Sequence, residues 1–175
     1  QRTSVYWPKN HEASANNPGV ATIKVHTAYI PKIDEYAANR PGSPPGILTW
    51  ADPIYKNDLI EQIHKLKDIV DLTVVSFHWG FKGEVLEYMR EIAHAAIDAG
   101  ADVVFGHGPH MPLPVEIYSS KPIFYGLGSF VFHNGHRGKE HDDWIGMIGK
   151  IFYNDNKPEA FAFSFVRRDL SNQTY

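Results

Sequence analysis

Two short apolar runs limit what this chain can fold into more than anything else in it. Leu72-Thr73-Val74-Val75-Ser76-Phe77 and Ala101-Asp102-Val103-Val104-Phe105 are β-branched and nearly uncharged, as expected of strands covered on both faces. Between them, from Glu84 onward, Val85, Tyr88, Met89, Ile92 and Ala96 recur at helical spacing, and Gly100 stands where a helix commonly ends. Strand, helix and strand in that order predict a βαβ unit, in which parallel strands bring their carboxyl ends together. Each run leads into histidine: Phe77-His78-Trp79-Gly80 after the first, Gly106-His107-Gly108-Pro109-His110 after the second. Open α/β sheets carry their ligand sites outside the carboxyl ends of strands, so His78, His107 and His110 are expected to converge on one crevice.

The rest of the chain reads as a layered α/β domain with mixed sheets. Residues 1–19 are polar and broken by Pro8 and Pro18-Gly19, an irregular lead-in. Val20 to His26 alternates as a half-buried strand does. Pro41-Gly42-Ser43-Pro44-Pro45-Gly46 is a loop, either a rim over a site or a surface excursion. A helix capped by Asn57 or Asp58 carries Leu59, Ile63, Leu66 and Val70. Beyond the histidine loop, Val115–Tyr118 and Pro122–Tyr125 read as a hairpin across Ser119-Ser120-Lys121, and Trp144–Tyr153 with Glu159–Val166 as another.

Composition excludes several function classes. The 175 residues suit one domain, and a net charge of −3 provides no basic stripe, so nucleic acid is not an expected partner. With no cysteine there is no disulfide frame, no thiolate metal site and no thiol nucleophile. No apolar run approaches the roughly 20 residues of a membrane span, and no signal peptide is recognisable. The chain opens at Gln1 rather than Met, so an N-terminal piece is expected to have been processed or cut away. No Gly-x-Ser-x-Gly elbow and no glycine-rich phosphate cradle is present. Gly126-Leu127-Gly128-Ser129 ends a strand rather than opening a helix.

The ten histidines therefore carry most of the chemical information. One histidine at a strand end is more often a hydrogen-bonded structural residue than a ligand. Three on neighbouring strand ends suit a divalent metal, because neutral imidazole suits zinc, iron, nickel, copper or manganese-type centres; both readings stay open. Gly106, Gly108 and Pro109 make a turn with little backbone crowding, through which two imidazoles can face inward. His64 and His94 fall on helix surfaces, and His26 ends a strand as core or rim. His133, His136 and His141 form a second group, read as a solvated turn or as a loop closing over the crevice.

With these residues the chain resembles the CapA-type capsule-synthesis proteins, the poly-γ-glutamate synthesis family. The resemblance runs through His78-Trp79-Gly80, Asp98-Ala99-Gly100-Ala101-Asp102 and Gly106-His107-Gly108-Pro109-His110. It continues through Glu116-Ile117-Tyr118, Lys121-Pro122-Ile123-Phe124-Tyr125 and Leu127-Gly128-Ser129-Phe130, with Pro18-Gly19-Val20 ahead of them, over about residues 18–166. It implies kinship with the calcineurin-like metallophosphoesterases, hence an α/β sandwich of two sheets between helices with a two-metal site at the strand ends. On that implication His78, His107 and His110 would ligate divalent ions, one or two of them, that activate water for in-line attack. Asp102, Glu116 and Ser129 would support them from a second layer, Ser129 standing where the family has asparagine. The substrate would be a phosphoester or an amide such as a γ-glutamyl bond. The alternative is a non-catalytic binding or export protein for an anionic polymer, and either implies the cell envelope or the exterior. The family's early Gly-Asp and Asn-Asn-His, which supply further ligands, do not occur here; Asn16-Asn17 runs into Pro18. The chain is therefore expected to be the C-terminal portion of the full domain, or to hold only half of its ligands.

Overall fold

The computed structural model describes residues 2–3, 11–31, 42–81, 83–130, 145–154, 157–167 and 173–174. Its centre is a five-stranded sheet in the order β1-β4-β5-β7-β6, made of β1 (Arg2–Thr3), β4 (Val74–His78), β5 (Val103–His107), β7 (Lys121–Phe124) and β6 (Val115–Tyr118). β1, β4, β5 and β7 run parallel, and β6 closes the edge antiparallel to β7. The βαβ expectation is met: α2 (Glu87–Asp98) crosses from β4 to β5, and the two strands align Val74 with Val103 through to His78 with His107.

One face of this sheet is covered by helices. Val75 and Phe77 of β4, Val104 of β5 and Ile123 of β7 pack with Tyr88, Met89, Ile92, Ala93 and Ala96 of α2. α1 (Pro53–Lys67) joins the same core through Leu59 and Ile63. The other face meets a long hairpin, β8 (Ile145–Asn154) with β9 (Lys157–Arg167). There Val103 and Phe124 pack with Met147, flanked by Phe105 and Ile151. The architecture is thus helices, mixed sheet, hairpin. Because side chains alternate along a strand, Ser76, His78 and His107 lie on the hairpin face, opposite Val75, Phe77 and Val104.

Several local expectations change. The strand expected over Val20–His26 instead runs Val25–Ile30, as β2, paired antiparallel with β3 (Gly46–Ala51). Val20 is drawn away to Glu12, its N–H bonding to His11 O at 2.7 Å. The proline-glycine loop ends in β3, a strand the pattern did not disclose; Pro41 lies outside the described residues. α1 begins well before Asn57: Asp52 accepts a hydrogen bond from Ile54 N, and Pro53 takes the first helical position. Its helical stripe stops early, so Leu66 and Val70 are exposed. The turn Ser119-Ser120 has both residues at positive φ, 48° and 63°, the geometry of a tight two-residue hairpin. Trp144, Asp155 and Asn156 of the second expected hairpin lie outside the described residues, as do His133, His136 and His141. Among the described residues no helix is long and apolar enough to cross a membrane.

Candidate functional site

β4 and β5 end side by side, and register fixes what meets there. His78 is paired with His107, both rings project to the hairpin face, and their Nδ1 atoms lie 3.1 Å apart. The rings are 5.0 Å apart between centroids and inclined at 78°, so the two nitrogens, not the ring faces, address each other. His107 Nε2 lies 3.2 Å from Ser76 Oγ. Ser76 and His78 are two apart on one strand and therefore share its face. With Ser76 Oγ accepting from His107 Nε2–H, His107 Nδ1 presents a lone pair to the space between the rings.

The backbone around the pair is locked by close packing. Trp79 is fully buried, its Nε1–H donates to Tyr125 O at 2.9 Å, and its N–H donates to His107 O at 2.8 Å. Its ring stacks on Phe77 and Tyr125. A Cβ at Gly106 would stand 2.3 Å from Tyr125 O and 2.4 Å from Trp79 Nε1. One at Gly108, which has φ 125°, would stand 2.4 Å from Trp79 O. Only glycine lets the two strand ends close this tightly. His110, by contrast, is a non-glycine residue in the left-handed region at φ 61°, a conformation that costs energy and clusters at functional positions.

Burial pushes the His78 imidazole below the ordinary histidine pKa, and burial followed by repulsion from His78 does the same to His107. Both shifts favour the neutral ring, the form that ligates metals. The 3.1 Å spacing is that of an N–H···N hydrogen bond and lies a little inside the roughly 3.3–3.4 Å that separates two imidazole nitrogens on one tetrahedral ion at about 2.0–2.1 Å.

The remaining candidates are distributed differently. His110 turns its Nδ1 toward Ser129 Oγ, at 3.1 Å. Among the described residues no group of three or more His, Asp or Glu side chains gathers closely enough to hold an ion. Asp102 is not brought to the pair. It precedes β5, at the opposite end from His107 and roughly 16 Å along the strand, where its carboxylate accepts from Thr73 N and pairs with Lys121. Glu116 is not brought there either. Register sets it beside Ile123, level with Val104, on the helix face. There it accepts from Tyr125 Oη at 2.6 Å and pairs with His94 and Arg90 of α2. His94, expected on a helix surface, is instead stacked on Tyr118 with centroids 3.8 Å apart. Ser76 and Trp79 were not among the expected site residues. Ser76 had a readable signal, a lone hydroxyl two places before His78 in an apolar strand; the role of Trp79 depends on Tyr125, far away in sequence.

Residues 3–134 match the family model described as "Bacterial capsule synthesis protein PGA_cap". The chain is 42% identical over 93 residues to the PGA biosynthesis protein CapA of Bacillus subtilis (strain 168), covering 52% of this chain and 23% of that protein. It is 35% identical over 135 residues to the "Probable polyglutamine synthesis accessory protein" of Mycobacterium tuberculosis (strain ATCC 25618 / H37Rv), covering 74% of this chain and 32% of that protein. It thus spans about a quarter to a third of the length of these two relatives. A crystal structure of a hypothetical protein from Thermus thermophilus superposes with a TM-score of 0.44 at 14% identity, over 74% of this chain and 65% of that one. The family match takes in His78, His107, His110 and Ser129, and the chain belongs to the bacterial capsule synthesis protein family PGA_cap.

Proposed function

We propose that this chain contributes to the synthesis or handling of a poly-γ-glutamate capsule, and that His78 and His107 form the imidazole part of a divalent-metal site of metallophosphoesterase type. The capsule role rests on family membership and on what the relatives are described as doing. The metal site rests on one observation above all: two imidazoles present Nδ1 atoms 3.1 Å apart at adjoining carboxyl ends of parallel strands.

In this reading His78 and His107 are ligands through Nδ1, and Ser76 holds His107 in the tautomer that leaves Nδ1 unprotonated. His110 and Ser129 border the same strand ends and are assigned to positioning substrate or a further ligand. A bound ion would acidify water and polarise a phosphoryl or amide oxygen, the chemistry needed to hydrolyse a phosphoester or a γ-glutamyl bond. Trp79, Gly106 and Gly108 keep the two ligands at fixed separation. Donors beyond the two imidazoles are needed to complete the coordination sphere, and water supplies some of them in most catalytic sites.

The test is elemental analysis of the purified protein, followed by incubation with poly-γ-glutamate and with a generic phosphoester. Stoichiometric metal lost in His78→Ala and His107→Ala, together with metal-dependent shortening of the polymer or release of phosphate, is the expected outcome. Metal without turnover would favour the non-catalytic binding or export role, and absence of metal from protein prepared in zinc or manganese would remove the site.

A further inference from the structure

His78 is the last residue of β4, level with Thr3 of β1 and with His107 of β5. Trp79 N–H still reaches His107 O, but Gly80 lies beyond the ladder and turns the chain with a φ of 81°. A backbone N–H at such a point needs a partner of another kind. Gly80 finds it on α2, where its N–H donates to Tyr88 Oη at 2.7 Å. Space around Gly80 is short: a Cβ there would stand 3.0 Å from Pro109 Cγ and 3.3 Å from Met89 Cε. Gly80 is thus held between the first turn of α2 and the loop that carries His107 and His110. Tyr88 is 5% exposed, and its ring meets Trp79 edge-on, with centroids 6.5 Å apart.

Tyr88 is itself fixed from β3. Leu86, at the N-cap of α2, has no side-chain oxygen to accept from the first-turn amides. Thr49 supplies one from the neighbouring hairpin: it is buried, and its Oγ1 accepts from Tyr88 N at 3.3 Å. One turn further on, Glu91 Oε2 accepts from Ala51 N at 2.8 Å, so β3 and α2 are fastened in both directions. The Tyr88 backbone is therefore held by one sheet while its hydroxyl rests on the strand end of another. We propose that Tyr88 is a positioning residue for the His78–His107 site. Its hydroxyl sets the turn at Gly80, and through Gly80 and Pro109 it sets how the two imidazoles stand to each other. A phenylalanine ring would fill the same core space; what the oxygen adds is the acceptor for Gly80. The role rests on the metal-site reading, yet the geometry it controls can be measured with or without an ion.

Imidazole nitrogen NMR of the metal-free chain is the first test. Tyr88→Phe keeps the ring against Trp79 and removes only the acceptor. It should shift the His78 and His107 Nδ1 resonances and leave those of His94 in place. Because Tyr88 and His94 share α2, a helix merely loosened would move all three. Thr49→Val should shift the same two histidines by a smaller amount, and Thr49→Ser, which keeps the hydroxyl, should restore the native spectrum. The threonine pair decides the matter should Tyr88→Phe fail to fold. In zinc titrations Tyr88→Phe should weaken binding by about tenfold. A native chain that takes up no zinc would remove the metal reading, and the metal-free shifts alone would then decide the role of Tyr88. Unshifted His78 and His107 in Tyr88→Phe, or His94 displaced along with them, would overturn the proposal. So would a Thr49→Ser spectrum no closer to native than that of Thr49→Val, or native zinc affinity in Tyr88→Phe.

Discussion

Two polar clusters occupy opposite faces of the five-stranded sheet, and each is built around histidine. On the helix face, His94 stacks on Tyr118 and pairs with Glu116, which also takes the Tyr125 hydroxyl and Arg90. On the hairpin face, His78 and His107 address each other, with Ser76 behind. The first cluster is balanced in charge and in donors and acceptors, and it fastens α2 to β6 and β7. In the second, one ring can donate its Nδ1–H to the other across 3.1 Å; in the proposed reading a cation takes the place of that proton. The same residue type thus pairs with a carboxylate in one place and with a second imidazole in the other because of its neighbours, not because of its position at the end or middle of an element.

The clusters are joined through Trp79 and Tyr125, so the largest effect is expected there. Trp79→Ala should lower stability by about 3–5 kcal/mol, measured by denaturant unfolding, and should loosen both clusters together. If it unsettled only one of them, the linkage drawn through Tyr125 O would be wrong. Next comes Glu116→Ala, which strands Tyr125, His94 and Arg90. It should cost about 1–3 kcal/mol while leaving metal uptake unchanged.

The clusters should also separate by pH. Burial raises the Glu116 pKa, but the hydrogen bonds from Tyr125 and His94 outweigh it and hold the carboxyl below its usual range. Its contribution to stability is therefore complete above the ordinary glutamate pKa and is lost as pH falls through the lower folded value. His78 and His107 are depressed bases, so the unfolded chain takes up protons first. Stability should begin to fall as pH drops below the ordinary histidine pKa, and metal affinity should fall with it. A melting series over pH 4–8 on the native chain, Glu116→Gln and His107→Gln should assign the acid limb to the glutamate and the limb nearer neutrality to the histidines. The smallest effects are local. Ser76→Ala should weaken metal binding by about tenfold with little change in stability, and Ser129→Ala should cost about 0.5–1.5 kcal/mol through its bond to His110.

Much of this was legible in the chain because it is local. The β-branched runs, the helical stripe from Tyr88 to Ala96 and Gly100 behind it predict the βαβ unit, and the unit by itself delivers His78 to His107. The Ser119-Ser120 hairpin was legible for the same reason. What was hidden depends on partners remote in sequence. β3 exists because β2 lies beside it, across a connection of many residues. Asp52-Pro53 is a proper helix start, but Asn57 and Asp58 offered competing caps further on. Glu116 and Asp102 carry the right chemistry for a supporting role, yet strand register carries one to the helix face and the other to the far end of β5. No pattern in the chain announces that geometry. The exposure of Phe161, Phe163 and Phe165 on β9 was likewise invisible, since their alternation looks the same whether the face is covered or open.

The central claim is that His78 and His107 bind one ion through Nδ1, and imidazole nitrogen NMR during a zinc titration tests it most directly. The account predicts that both Nδ1 resonances move together and saturate at one equivalent of zinc, with His94 unmoved. Unchanged His78 and His107 nitrogens at excess zinc, or a shift confined to one ring, would contradict it.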